Sequence, residues 1–506
     1  MHDPERYWTN FLNIRSEQGF RMKHNKLSNL LIIMSDEHQS GVMGCAGHPF
    51  IKTPNLDKLA ARGTRFTNAY TPSPICVPAR ASFATGLYPH QTRLWDNAMP
   101  YDGSIKGWGH ALQDQGIRVE SIGKLHYRAE EDPAGFDKEH IPMMVVDGVG
   151  MVWASIRMEH ERVIHNKKNQ RMLGQHIGPG ISKYTEYDAA VTERTVKWLA
   201  DNAVSSPDDA PWCLYVGLVA PHFPLVVPKE FYDLYPLDSL PEVKLHPKDG
   251  FQRHPWVEKQ CAFNDSEAKF VDAEERLRAM AAYYGLCSWL DHNVGKIVDA
   301  LEAAGALENT RIIYTADHGD NIGARGLWGK SNLYQEAARV PMIDTGSTAG
   351  KVCDTPVSLL DISATISQHF ASEIVGNDGL LPLNEIAAQD YDPERVVFSE
   401  YHAAGAVSGA FMVRKGRWKL ISYIGFEDEL FNLENDPEET KNVAQQAEYA
   451  DVIQEMRTEL LKICDPVVVD QLAFADQAAM IAGYGGREAA LTLGAPGATP
   501  PPTINS

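Results

Sequence analysis

The chain has 506 residues, 44% hydrophobic and 23% charged, ordinary globular values that exclude a fibrous or wholly disordered protein. Forty-seven Lys and Arg stand against 67 Asp and Glu, a formal net charge of −20. A field of that sign opposes nucleic-acid binding, so an anionic ligand needs a local basic pocket. The seven cysteines, at 45, 76, 213, 261, 287, 353 and 464, are odd in number and widely spaced, with no CxxC pair. That argues against a disulfide framework or a Cys-based zinc site and for a reducing compartment.

The first 28 residues carry charges throughout and lack the apolar run of a signal peptide. No later stretch approaches the length of a membrane span, so the sequence points to a soluble cytoplasmic protein with no membrane partner. Residues 1–26 read as an arm packing on a neighbour, or as a leader upstream of an alternative start at Met22. Asn29 to Met34 is a short apolar run ending in Ser35-Asp36-Glu37-His38, the pattern of a buried parallel strand whose C-terminal end delivers polar residues to a site. Thr53-Pro54-Asn55 then opens LDKLAARG, where a capping residue, a first-turn Pro and the terminal Gly63 bracket an amphipathic helix.

The alternation continues with a helix around Gly107 to Gln115, strands at Ile117 to Ile122 and Trp212 to Leu218, a long helix from about Ala279 to Ala303, and a strand at Arg311 to Thr315. This predicts an α/β fold over residues 27–385, with a mainly parallel central sheet sandwiched by helices. Residues 127–190 show no clear period and read as a long surface excursion. After about residue 385 the segments RVVFSEYH, AFMVRKGRWKLISYI and DELFNL have hairpin spacing, and a helix follows over about 446–463. They predict a smaller C-terminal α+β subdomain over 386–465. Residues 466–506 read as a tail available for an oligomer contact, low in complexity from about 485 and from there without a packed structure of its own.

Three strand ends finish in metal- or anion-competent residues: Asp36-Glu37, then Lys124 and His126, then Asp317-His318 with Asp320. In an α/β sheet such ends converge on one crevice. Carboxylates with one imidazole suit a divalent ion such as Ca²⁺ or Mn²⁺, with Mg²⁺ behind them, better than zinc. Taken singly, Asp36 also reads as a helix cap and Asp317 to Asp320 as an Asx-rich turn.

The run Pro74-Ile75-Cys76-Val77-Pro78-Ala79-Arg80, followed by Thr85-Gly86, resembles the C-x-P-x-R signature with downstream T-G of formylglycine-dependent sulfatases, a family of the alkaline phosphatase superfamily. Further matches follow in family order over about residues 27–445. GIRVESIGKLH, with Lys124 and His126, resembles the second signature, and Ala220-Pro221-His222-Phe223-Pro224 is similar to the P-H-x-P segment. Asp317-His318-Gly319-Asp320 with Gly326-Leu327-Trp328-Gly329-Lys330 resembles the metal-binding strand end and its active-site lysine. Asn97 matches an asparagine of the choline-sulfatase and phosphonate-monoester-hydrolase branch.

The resemblance implies an alkaline-phosphatase-like fold and hydrolysis of a small organic sulfate monoester to alcohol and sulfate. It implies that a separate maturation enzyme oxidises Cys76 to formylglycine (3-oxoalanine). One hydroxyl of the aldehyde hydrate attacks sulfur and the other later expels sulfate, a step closed to a thiol. Asp36, Glu37, Asp317, His318 and the modified Cys76 are the implied metal ligands, Glu37 departing from the Asp or Gln usual in the family. Arg80, Lys124 and Lys330 supply donors to the developing charge. His222 protonates the leaving oxygen, with Lys330 able to share that role, and His126 takes the proton of the second hydroxyl. Asn97 and His402 contact substrate. Plain structural roles stay open for Arg80 as an orienting group, His222 as a satisfied strand-end histidine and Asn97 as a turn cap. The same scaffold supports hydrolysis of phosphonate monoesters and phosphodiesters; the positive charge of Lys124 and His126 beside the leaving group favours sulfate. The terminal extensions point to a homo-oligomer.

Overall fold

The structure, a computed structural model, describes residues 29–157, 171–203, 211–263, 265–494 and 498–503. Eight strands form the central sheet: β1 (Asn29–Asp36), β2 (Thr64–Phe66), β3 (Arg118–Lys124), β4 (Lys138–Met143), β5 (Trp212–Pro221), β6 (Thr310–Ala316), β7 (Met342–Asp344) and β8 (Lys351–Cys353). Their spatial order is β8-β2-β7-β6-β1-β5-β3-β4. Every pairing is parallel except those made by β7, which is antiparallel to both neighbours.

All residues of β1 are buried, because helices cover both faces of the sheet. Leu31 and Ile33 face one layer, with Leu56 and Leu59 of α1 (Pro54–Arg62) and, further along the chain, Val191 and Leu290 from two long helices. Leu30, Ile32 and Met34 face the other, with Phe83 of α2 (Cys76–Thr85) and Leu112 of α3 (Trp108–Gln113). The two long helices are α4 (Lys183–Asn202) and α5 (Ala273–Ala303), and α6 (Asp361–Phe370) joins the second layer through Ile362 and Ile366. The period of two along β1 thus sorts its side chains between two cores.

The C-terminal subdomain is an antiparallel meander of β9 (Val396–Tyr401), β10 (Ala410–Lys415), β11 (Trp418–Tyr423) and β12 (Glu429–Asn432). One face, with Phe398, Phe411 and Leu420, packs on Ile453 and Met456 of α7 (Ala450–Ile463). The other, with Met412, Ile421 and Tyr423, packs on Tyr70, Trp256 and Tyr334 of the main body.

Two readings from the sequence need correction. The excursion at 127–190 contains a sheet strand, β4, and the start of α4. β4 is the outer strand of the sheet, carries Lys138, Glu139 and Pro142, and spends His140 on Glu120 at 2.6 Å, so it shows no apolar alternation. The tail opens with a helix, α8 (Pro466–Gly483), and past residue 485, where the sequence predicts no packed structure, Ala490 and Thr499 are buried. Residues 1–26 lie outside the described residues. No described helix is long and apolar enough to cross a membrane.

Candidate active site

β1, β3, β5 and β6 lie side by side, so their C-terminal ends place Asp36-Glu37, Lys124, His222 and Asp317-His318 around one crevice. Cys76 occupies the first position of α2. The close approach of β3 and β5 depends on two facing glycines. A Cβ on Gly217 would lie 2.1 Å from the Lys124 carbonyl oxygen, and one on Gly123 would lie 2.3 Å from the Gly217 carbonyl oxygen. Near the C-terminal end of β5, the buried Asp188 carboxylate accepts from the backbone N–H groups of Val219 and Ala220 at 2.7 and 2.8 Å, which fixes the strand end that delivers His222.

Cys76 Sγ lies 3.6 Å from Asp36 Oδ1, 3.3 Å from His318 Nε2 and 3.1 Å from Lys330 Nζ. Asp36, Cys76, Asp317 and His318 each offer one ligand atom, all within 4.8 Å of one another and all buried. Two carboxylates, one imidazole and a short side chain at position 76 fit a divalent cation of mixed oxygen and nitrogen preference. Glu37 Oε1 is buried without a hydrogen-bond partner, the kind of orphan acceptor that a nearby cation satisfies. Glu37 groups instead with Asp36 and His222 and stands 3.2 Å from Lys330 Nζ.

Positive charge surrounds this cluster. Lys124 Nζ is 2.6 Å from Asp36 Oδ2. Arg80 donates to Asp317 Oδ2 at 2.8 Å, to Asp36 Oδ2 at 3.2 Å and to the Lys124 carbonyl and Tyr215 hydroxyl oxygens at 2.9 Å each. Burial alone would raise the Asp36 carboxyl, yet Lys124, Lys330, His222 and Arg80 hold it well below the usual carboxylate range. Burial pushes the Glu37 carboxyl well up, against Lys330. Burial and the Asp36 charge push the Cys76 thiol up, the opposite of what a thiolate nucleophile requires. Burial, helped by Lys330, lowers His222 well below its ordinary value; burial with Lys124 does the same to His126.

Cys76, Asn97, Lys124, His126, His222 and Lys330 line one cavity of about 80 Å³. Arg80 lies behind them and holds the two carboxylates. Asn97 Oδ1 accepts from the Val77 N–H at 3.1 Å, satisfying an otherwise orphan donor in the first turn of α2. His402 does not line the cavity: its Nε2 pairs with Glu400 at 2.9 Å and its ring packs edge-on against Trp95. Ala404 reaches the cavity from that segment instead. The cavity also takes walls that sequence reasoning missed: Tyr184, Phe223, Trp328, Met151, Met172 and, from the tail, Thr499. Phe223 and Trp328 sit inside motifs read for their His and Lys, whereas Tyr184, Met151, Met172 and Thr499 lie far from any motif and carry no sequence signal for such a role.

A buried cation-competent cluster at the C-terminal edge of a largely parallel sheet, ringed by lysines and histidines, defines a hydrolase of anionic esters. Residues 28–372 match the family model described as Sulfatase, and residues 323–465 that described as N-sulphoglucosamine sulphohydrolase, C-terminal. A choline-sulfatase of Rhizobium meliloti (strain 1021) is 33% identical over 435 residues, 82% of this chain and 82% of its own length. Arylsulfatase K of Homo sapiens is 28% identical over 459 residues, 84% of this chain and 80% of its own. In fold, the chain is similar to the phosphonate monoester hydrolase of Agrobacterium radiobacter, with a TM-score of 0.67 at 22% identity over 86% of this chain and 95% of that one. The chain belongs to the sulfatase family and is a sulfuric ester hydrolase of alkaline-phosphatase-like fold.

Proposed function

We propose that this sulfatase cleaves a small organic sulfate monoester using Cys76 converted to formylglycine and a divalent cation, Ca²⁺ or Mn²⁺, held by Asp36, Asp317, His318 and residue 76. The observation that carries the reading is the placement of Cys76: it sits within 3.6 Å of a carboxylate, an imidazole and an ammonium group. Burial and the Asp36 charge push its thiol up. The position is that of a nucleophile, and the chemistry requires a different functional group there. A formylglycine-generating enzyme is therefore the partner this reading needs.

When present, the cation and the aldehyde hydrate supply an acidified hydroxyl beside a neutralised sulfate oxygen. The chain's own residues do the rest. Arg80, bonded to both Asp36 and Asp317, fixes their orientation. Lys124 and Lys330 bind sulfate oxygens, and the Asn97 amide N–H group, unused in its bond to Val77, adds a neutral donor. His222 protonates the departing oxygen. Its ring is fixed by the Phe223 carbonyl oxygen at 2.5 Å from Nδ1, and the negative charge of a bound sulfate favours the protonated ring that burial disfavours. His126 takes the proton of the second hydroxyl. The cavity's walls of Tyr184, Phe223 and Trp328 suit a compact leaving group. The free cysteines fit the cytoplasm.

Peptide mass spectrometry of protein made with the maturation enzyme should find residue 76 roughly 18 Da lighter than cysteine, the exchange of sulfur for oxygen with loss of two hydrogens. Unmodified thiol in active protein would refute the nucleophile. Comparing kcat/KM for one leaving group as sulfate monoester, phosphodiester and phosphonate should give the sulfate the highest value.

A further inference from the structure

His126 is buried, and its two ring nitrogens meet different fates. Nδ1 has no hydrogen-bond partner, whereas Nε2 shares a 2.8 Å hydrogen bond with the hydroxyl of Thr499, a residue 373 positions further along the chain. The Thr499 carbonyl oxygen accepts from the Tyr184 hydroxyl at 2.6 Å, so both ends of this one residue are held by the cavity wall. Ala498 and Thr499 both line the cavity that contains Cys76, and Thr499 is only 8% exposed.

The approach is anchored before it arrives. Ala490 is fully buried in a cluster with Ala98, Val152 and Ile156, next to Asn97. Gly494, at φ +93°, passes so close to the Gly150 carbonyl oxygen that a Cβ there would lie 2.1 Å from it. Pro500, Pro501 and Pro502 follow Thr499, and a proline run is stiff, so holding the segment against the cavity costs little chain entropy.

We propose that the segment around Thr499 is a built part of the catalytic pocket, with Thr499 a positioning residue for His126 and Ala498-Thr499 a wall that limits the size of the leaving group. The proposal rests on the role given above to His126. The Thr499 hydroxyl fixes which face and which nitrogen of the ring meets the reacting group. The wall lines the same cavity as Cys76, so a bulky alcohol would be excluded by contact with the chain's own tail.

The test uses the full-length matured enzyme, Thr499→Val, Thr499→Ser and a chain ending at Gly494. Thr499→Val keeps the shape and removes the hydroxyl, and should lower kcat by about tenfold with KM little changed, while Thr499→Ser retains activity. The shortened chain should raise kcat/KM for a naphthyl sulfate relative to phenyl sulfate by about tenfold or more. A third measurement needs no turnover: carbethoxylation of His126 by diethyl pyrocarbonate, followed by peptide mass spectrometry, should be at least about tenfold faster in the shortened chain, because Nε2 is uncovered. Normal sulfate hydrolysis with all three quantities within about twofold of the parent would overturn the proposal and leave the sulfatase reading standing. Faster His126 labelling in a protein inactive on every sulfate ester would support the wall and overturn the reading of the site.

Discussion

At the scale of single residues, the tasks proposed for His222 and Arg80 are separable by experiment. The Phe223 carbonyl oxygen holds His222 Nδ1 as the donor, which leaves Nε2, 3.4 Å from Glu37 Oε2, as the nitrogen for the acid role proposed above. Protonation matters most when the departing oxygen is a poor leaving group. His222→Ala is therefore expected to lower kcat by roughly 10²–10⁴-fold on an alkyl sulfate and by less than about tenfold on 4-nitrophenyl sulfate. Equal losses on both substrates in steady-state kinetics would remove His222 from the acid role. Arg80 bridges Asp36 and Asp317 with a planar fork that an ammonium group cannot copy. Arg80→Lys should weaken divalent-ion affinity by about 10–100-fold, read by calorimetric titration of the metal-stripped protein. Affinity unchanged from the parent would mean that the two carboxylates are oriented without it.

At the scale of elements, the site depends on how closely β3 and β5 approach. Gly217→Ala puts a methyl 2.1 Å from the Lys124 carbonyl oxygen in a rigid strand pair, so one strand must shift. The expected cost is about 1–3 kcal/mol in urea unfolding, with activity falling because Lys124 and His126 move with β3. Unaltered stability and activity would show that the strand ends are plastic. The elements that the sequence reveals are those with an unambiguous pattern: β1 and β6 as short apolar runs, and most of α5 as a long stripe. Their polar ends, Asp36 and Asp317, were legible for the same reason. The helix α2 was not, because all ten of its residues are buried and no amphipathic stripe exists. In α8 no clean stripe exists: Val469 and Ala473 are buried and Asp470 reaches the buried Arg157, while Val467, Val468 and Phe474 are exposed. His402 reads as a substrate contact from the family resemblance alone, and only the fold shows that Glu400 takes its ring. Glu400 in turn is held at about 2, where bonds from His402 and His90 outweigh its burial.

At the scale of the whole molecule, the subdomain is tied to the catalytic body through buried charge. Lys419 of β11 pairs with Glu439 at 2.5 Å, Glu439 accepts from the Gln335 N–H at 2.8 Å, and Arg325, in the turn leading to Lys330, pairs with Glu439 at 3.9 Å and donates to the Glu438 carbonyl oxygen at 2.7 Å. Glu429 sits in the same layer, accepting from the Tyr423 and Tyr334 hydroxyls at 2.8 and 3.1 Å. Burial outweighs these bonds and raises its carboxyl from 4.5 to about 7. Between those two values the folded protein holds a proton that the unfolded chain has released, so stability falls as pH rises through that window and levels off above about 7. The loss attributable to this one carboxyl is on the order of 3 kcal/mol. Glu429→Gln keeps the volume and the tyrosine contacts without the ionisable proton. It should therefore unfold at a higher temperature than the parent at pH 8, with the difference shrinking or reversing at pH 5. Because the same layer carries Arg325, hydrolysis by the parent should lose thermal tolerance over that range more steeply than hydrolysis by the variant. Parallel melting curves for the two proteins from pH 5 to 8 would show that Glu429 is ionised throughout, and that the junction is held by its ion pairs alone.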